Sequence, residues 1–486
     1  MENRLNEHEH KHPQKKGFNS LKRKGVEHAF SVISLMIMVP VFAVVALFLL
    51  FFQRPTESQL EKRKLEPFPT FSFQSYFDGS FTSGITKYYD DTVPFRDNFK
   101  NAGNNFKSLF GFRTGNTTEV IGDIKKVESK TSKTESSKPQ SSKPSTSDSN
   151  EQSSQVSEEE SNQKDYTKEE ADANWANGNI VVEQDGHYRA LELFGGGSGK
   201  NYIKALNNFR KDLDSNVKIY SMIAPLASEF YTPSNFSEYN ASQKECFDNI
   251  ASKLDPGITS VDIVSVLAKH TEEPIYCRTD HHWQPLGAYY ASQAFAAAAG
   301  VDFKDLSTFT KHDNEGFVGS MYAFTKSANI LNDPETFTYY EPSNIKDCKT
   351  YYYNTSFEYT GSGNFFNGVD TANSYLVFMG GDEQIVKVKT NVHNGRKLCI
   401  VKDSYGNAEP PYYMNGFEEI YVVDMRYFNL NLVDFVNQMG ITDLLFTCVS
   451  YSAVGDNADN LENLRTQAKG QKIVDQALAE ESKKSD

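Results

Sequence analysis

The hydrophobic pattern of this chain changes character three times. Ala29 to Phe52 is uncharged and almost wholly apolar. At helical rise these 24 residues span the roughly 30 Å hydrocarbon core of a bilayer. Pro40 inside the run is tolerated, because membrane-spanning helices absorb such breaks. Residues 124–170 are the opposite: Ser, Lys, Glu and Gln with no apolar anchor. Such a stretch buries too little surface to offset its ordering entropy, so disorder is expected. From about residue 175 short β-rich runs alternate with helical stretches. Val217–Ala224 reads as a strand, Ala241–Leu254 as a helix, the run EPIYCR (273–278) as a strand and Leu286–Ala299 as a helix. Residues 303–394 are aromatic and irregular. The clearest pattern comes last: strand Lys397–Lys402, helix near Glu409–Asn415, strand Glu419–Asp424, helix Asn431–Met439, strand Ile441–Val449. These strands are almost continuously apolar, as expected when both faces of a sheet are covered. Successive βα steps predict an α/β fold with a doubly wound parallel sheet.

Charge orients the first apolar run. Arg4, Lys11, Lys15, Lys16, Lys22, Arg23 and Lys24 precede it, and only Arg54 follows before Lys62. The excess of positive charge places residues 1–28 in the cytoplasm as a basic tail and the rest outside, held by a transmembrane helix over 29–52. A cleaved signal peptide is disfavoured, since the run exceeds a usual h-region and no small-x-small site follows. Beyond it, residues 70–123 look folded and aromatic but too short to stand alone. They are expected to pack onto a main domain over 175–455, with 124–170 as an insertion and 456–486 as a polar C-terminal tail. The net charge of -14 argues against nucleic-acid binding, which needs a basic face. Five widely spaced cysteines form no CxxC signature; Cys399 and Cys448, inside apolar runs, read as buried free thiols.

Open α/β sheets bind ligands at the carboxyl ends of their strands. Ser404 follows the strand LCIVK there, and Asp280-His281-His282-Trp283 follows IYCR. A serine nucleophile needs a base to take its proton and a third group to hold the imidazole. Asp280 and His282, two apart on an extended segment, project to one side. Ser404 at a strand-to-helix turn exposes its hydroxyl and points backbone N–H groups, including those near Gly406, at a developing oxyanion. Each residue also has a plainer use. A Ser in a DS turn commonly caps the next helix, and adjacent histidines commonly serve as turn residues or half of a metal site. His187, His270, His312 and His393 are isolated and read as structural. Spacing alone leaves these alternatives open.

The segment TDHHWQPLGAYYA closely resembles the signature of the bacterial DHHW protein family. TVPFRD (Thr92–Asp97), EGFVGSMYAFT (Glu315–Thr325), KLCIVKDSYGN (Lys397–Asn407) and EEIYVVDMRYF (Glu418–Phe428) match it in order. That family is similar to the SGNH-like proteins that O-acetylate alginate, which carry an Asp-x-His-Trp motif followed by a catalytic serine. The resemblance implies Asp280 as the acid, His282 as the base, Trp283 as the motif's tryptophan and a candidate substrate-binding or oxyanion residue, His281 at the unconstrained position and Ser404 as the nucleophile. It implies an SGNH-hydrolase-like sheet with the motif order permuted, since ordinary SGNH hydrolases place the serine first. Lys402 stands where a GDS block has Gly, so the oxyanion groups, with Gly406 and Asn407 as candidates, are not carried over.

The activity implied is acetyl transfer to a sugar hydroxyl of a cell-surface or secreted polysaccharide, with no metal or cofactor. The acetyl donor would be delivered by a membrane-bound O-acyltransferase. Aromatic residues of Tyr351–Tyr359 are expected along a sugar cleft. Arg96 and Arg426 are candidates for an acidic sugar, with structural ion pairing as the alternative. Two other readings stand beside it: an acetylesterase with the same triad, and a non-catalytic surface scaffold or polysaccharide-binding protein.

Overall fold

The computed structural model describes residues 35–44, 47, 52–58, 63–96, 99, 118–127 and 176–484. The chain divides into two compact units, residues 1–107 and 108–486. In the first, residues 35–44 are helical, and Phe71 packs edge-to-face on Phe81 of the helix Ser80–Asp91. Among the described residues no helix is long and apolar enough to cross a membrane. Most of the rest of the expected span, the basic tail 1–28 and nearly all of the insertion 124–170 lie outside the described residues.

The second unit is built on an eight-stranded sheet. In chain order its strands are β1 (Lys218–Ala224), β2 (Ile258–Ser260), β3 (Lys349–Tyr353), β4 (Tyr359–Gly363), β5 (Ile385–Lys389), β6 (Lys397–Lys402), β7 (Glu419–Asp424) and β8 (Asp443–Val449). Their spatial order is β4-β3-β5-β7-β6-β8-β1-β2. The five strands from β7 to β2 are parallel, and β5, β3 and β4 continue the sheet antiparallel. The fold is therefore α/β, but its sheet is mixed rather than wholly parallel. The antiparallel edge comes from the region that looked irregular, where the strands are short. Lysine interrupts the apolar run of β5 (IVKVK), and Lys387 is nonetheless fully buried, paired 2.7 Å from Asp475.

Residues beyond 455 are correspondingly more than a polar tail. The helix Asn457–Thr466 buries Ala458, Leu461 and Leu464, and Asp475 also accepts from the Tyr353 hydroxyl at 2.7 Å. The expectation for residues 70–123 divides as well. Glu119–Ile121 pairs antiparallel with Ala176–Gln184 in a three-stranded sheet completed by His187–Phe194, so the intervening segment leaves and re-enters one sheet. Residues 70–107 fall in the other unit. All five cysteines are free thiols.

Two features position the site. Leu398, Cys399, Ile400 and Val401 of β6 are wholly inaccessible, and β7 and β8 flank β6 on opposite sides. The chain reverses direction across β6, which opens a crevice at its carboxyl end. The second feature is α1 (Pro285–Ala299). Pro285 at its first turn is preorganised for helix, and it disfavours helical geometry in the preceding residue. The helix therefore starts only after Gln284, leaving Asp280–Trp283 as a loop.

Candidate active site

The DHHW segment is not preceded by a strand. Instead residues 275–284 form a tight hairpin closed by a single bridge between Tyr276 and Trp283. Cys277 N donates to His282 O (3.2 Å) and Gln284 N to Ile275 O (3.0 Å). The Glu335 carboxylate caps the loop, accepting from the amides of Arg278 and Thr279 at 2.9 and 2.6 Å. This packing aims Asp280 and His282 at the end of β6.

There the structure brings three predicted residues together. Asp280 Oδ1 lies 2.6 Å from His282 Nδ1, and His282 Nε2 lies 2.8 Å from Ser404 Oγ. The same Asp280 oxygen accepts from the His282 amide (3.0 Å), and its other oxygen accepts from Ser320 N (2.7 Å). Asp280 and His282 are each 7 % exposed. Burial pushes the Asp280 carboxyl up, but His282, His281 and the Ser320 amide outweigh it and hold it well below the usual range. A permanent carboxylate beside Nδ1 fixes the tautomer with the proton there, leaving Nε2 as the acceptor facing the hydroxyl. His281 stacks on His282 at 3.8 Å, and burial followed by that neighbouring ring lowers its own affinity for a proton. The donor atoms of Asp280, His281 and His282 lie within 4.8 Å of one another. Both ring nitrogens of His282 are already engaged, by Asp280 and Ser404.

Ser404 opens a 3-10 turn, Ser404–Ala408, whose shape is set by Asp403. Asp403 is buried; its two oxygens accept from Tyr405 N (3.0 Å) and from Val449 N at the end of β8 (2.9 Å). Gly406 is required by close approach, since a Cβ there would sit 2.5 Å from Lys402 Cβ. Its N–H donates to Asp403 O at 3.1 Å, so that amide closes the turn instead of facing an oxyanion.

The remaining predicted residues have other places. Trp283 is fully buried; its Nε1 donates to Tyr405 O (3.0 Å), so it ties the hairpin to the serine turn and does not line a cleft. Asn407 is 1 % exposed and donates to Asp382 at 2.8 Å. Arg426 pairs with Asp424 (2.7 Å) and Asp382 (2.9 Å), and Arg96, in the other unit, pairs with Asp91 (3.3 Å). Tyr351 and Tyr353 are buried in β3 rather than arrayed along a cleft. His187, His270 and His312 each face a carboxylate.

Sequence reasoning missed Gly319 and Ser320. A Cβ at Gly319 would lie 2.3 Å from Asp280, so only glycine lets the next amide reach that carboxylate. The signal was present in the matched block EGFVGSMYAFT, where a small pair interrupts apolar residues. Tyr375, stacked on His282 at 3.8 Å, carried no signal.

Fold and site together define a mixed α/β protein with a Ser-His-Asp relay at the carboxyl end of a central parallel strand. The chain belongs to the DHHW protein family, whose model matches residues 61–423. A DHHW family protein from Eubacterium siraeum is 48 % identical, with a TM-score of 0.57 over 59 % of this chain and 95 % of its own. PatB1 of Bacillus cereus is 19 % identical, with a TM-score of 0.48 over 58 % of this chain and 97 % of its own. The O-acetyltransferase domain of Pseudomonas putida AlgJ is 13 % identical, with a TM-score of 0.35 over 58 % of this chain and 98 % of its own. No curated protein matches the chain.

Proposed function

We propose that this protein is a membrane-anchored, extracellular serine O-acetyltransferase acting on a cell-surface or secreted polysaccharide. The observation that carries the reading is the unbroken contact from Asp280 through His282 to the Ser404 hydroxyl, at 2.6 and 2.8 Å. In the first half-reaction His282 Nε2 takes the Ser404 proton while Oγ bonds to the acetyl carbon. The bond to the donor's leaving group breaks, and the imidazolium returns the proton to that group. In the second, a sugar hydroxyl gives its proton to His282 as its oxygen bonds to the acetyl carbon; the bond to Oγ breaks, and the imidazolium returns the proton to Oγ. The SGNH-like resemblance supplies the substrate class and the membrane-bound O-acyltransferase as acetyl source.

Anchoring rests on the apolar run 29–52 and the basic residues before it. Leu35, Met36, Phe42 and Val44 present more than half of their surface to solvent, as lipid-facing side chains would. Ser404 is only half-buried, which also favours a second reading, an acetylesterase in which water replaces the sugar.

Both readings share the acyl-enzyme, so one experiment tests them. Purified full-length protein is offered an activated acetyl ester, and intact mass is followed for a single added acetyl group on Ser404. If wild type and Ser404→Ala are labelled alike, the enzymatic reading fails and a surface scaffold remains. If acetyl-enzyme forms, added oligosaccharides that become acetylated identify the transferase, and unaccelerated release to water identifies the esterase.

A further inference from the structure

The catalytic base is held on both faces of its ring. His281 covers one face at 3.8 Å, with 37° between the planes. Tyr375 covers another at 3.8 Å and only 9°, a parallel stack. Tyr375 comes from Thr371–Val377, 29 positions before the serine and 93 after the histidine, so nothing local dictates this contact. Its own plane is set by Phe337 and Phe378, which meet it edge-to-face, each at 6.0 Å. The phenol reaches past the imidazole to the serine turn, where its oxygen lies 3.0 Å from Ser404 O and 3.1 Å from Tyr405 O. A phenol has one proton, so these carbonyls share it. Tyr405 O also accepts from Trp283 Nε1 at 3.0 Å, so the phenol and the indole meet at the first two carbonyls of the serine turn.

We propose that Tyr375 is the positioning residue that sets His282 against Ser404: its ring fixes the plane of the base, and its hydroxyl fixes the backbone of the nucleophile. A residue that only filled the core would need one of these contacts at most. Here a single rigid side chain spans both partners of the 2.8 Å Nε2–Oγ contact. Any change in its position therefore alters that distance directly. Effective molarity falls steeply with such misplacement, about 100-fold for 1 Å. The aromatic face also suits the reaction, because the imidazolium formed during acyl transfer gains from a π surface beneath it. The groups facing His282 are Asp280, His281, Tyr375 and Tyr405. Burial keeps both phenols protonated, so Tyr375 presents a donor to the turn at any ordinary pH.

The inference rests on the acyl-transfer reading of the same site, and two variants separate its parts. Tyr375→Phe keeps the stack and loses the hydroxyl; Tyr375→Leu loses both. With an activated acetyl ester and the full-length protein, the acylation rate constant per labelled site should fall about 5-fold in Tyr375→Phe. It should fall roughly 30- to 100-fold in Tyr375→Leu. A purely structural residue would lower the labelled fraction and leave the rate constant of the labelled sites alone.

Amide hydrogen exchange over residues 404–408 needs no acyl donor and should be at least several-fold faster in both variants. If Tyr375→Leu fails to fold, Tyr375→Phe alone decides. Wild-type rate constants and wild-type exchange in the folded variants overturn the proposal. If wild type forms no acetyl-enzyme but exchange in the turn still responds to both substitutions, the acyl-transfer reading falls and the clamp on the turn stands.

Discussion

Lys402 and Ser404 stand two residues apart at the end of β6, yet their surroundings differ in kind. Lys402 is 2 % exposed, and its Nζ lies 2.8 Å from both Asp382 and Asp424. Arg426 reaches the same two carboxylates, so two cations face two anions. Burial pushes the Asp382 carboxyl up, but Lys402 and Arg426 overcome it and hold it well below the usual range. Asp382 is thereby held as a carboxylate between two cations. On the other side of the turn, Ser404 meets an imidazole, the one side chain that both accepts and returns a proton near neutrality. A carboxylate fixes that imidazole from behind. Buried charge is abundant on both sides; a group able to exchange a proton is found on one. The comparison separates the residues expected to act from those expected to hold.

The largest effect expected is at the nucleophile. Ser404→Ala should lower acetyl-enzyme formation by about 10⁴-fold or more while leaving the melting temperature within about 2 °C, since it removes one half-buried hydroxyl. Asp280→Asn follows, with a loss of roughly 10³- to 10⁴-fold, because an amide favours the wrong imidazole tautomer. Rapid-mixing acylation kinetics check both. Across the turn the prediction reverses. Lys402→Met removes one of the two cations bonded to Asp382 and Asp424 and should cost about 3–5 kcal/mol of stability, read from the urea midpoint. Its folded fraction should acylate within a few-fold of wild type. A Lys402→Met protein as stable as wild type but unable to form acetyl-enzyme would erase the distinction between the two sides.

Much of this site was legible in the residue pattern. Strands β6 and β7 were read at their observed bounds, because strands covered on both faces leave continuous apolar runs. Asp280, His282 and Ser404 were read from strand-end position plus the motif, and the structure brings them together, although only Ser404 follows a strand. Three kinds of information were not legible. Trp283 looks like a cleft residue by type, but its indole is spent on Tyr405 O, a contact 122 positions away in sequence. Arg426 looks available for an acidic sugar until Asp382 and Asp424 are placed beside it. The antiparallel edge β3–β5 hides its burial, because Lys387 breaks the apolar run and is neutralised by Asp475, beyond the point where the domain was expected to end. In each case at least one deciding partner (Tyr405, Asp382 or Asp475) is distant in the chain, and neither periodicity nor spacing carries such pairings.

The same comparison extends to the far end of the serine turn. Glu409 is fully buried; it accepts from Thr447 Oγ1 at 2.7 Å and from the Tyr413 hydroxyl at 3.2 Å, and among the described residues no cation is bonded to it. Burial pushes its carboxyl up to about 8, and nearby Asp403 adds to the rise. Where Lys402's neighbours are stabilised as charges, Glu409 is stabilised as a neutral acid. Its pKa is raised from an ordinary 4.5, so its contribution to stability is fully present below about pH 4.5 and is lost as pH rises through about 8. Glu409→Gln keeps the shape and the hydrogen-bonding oxygen without the proton to lose. The variant should match wild type near pH 4 and exceed it by roughly 4 kcal/mol at pH 9. Urea unfolding of both proteins at the two pH values measures the gap. Parallel pH profiles would mean that Glu409 is charged in the fold, as Asp382 is on the lysine side.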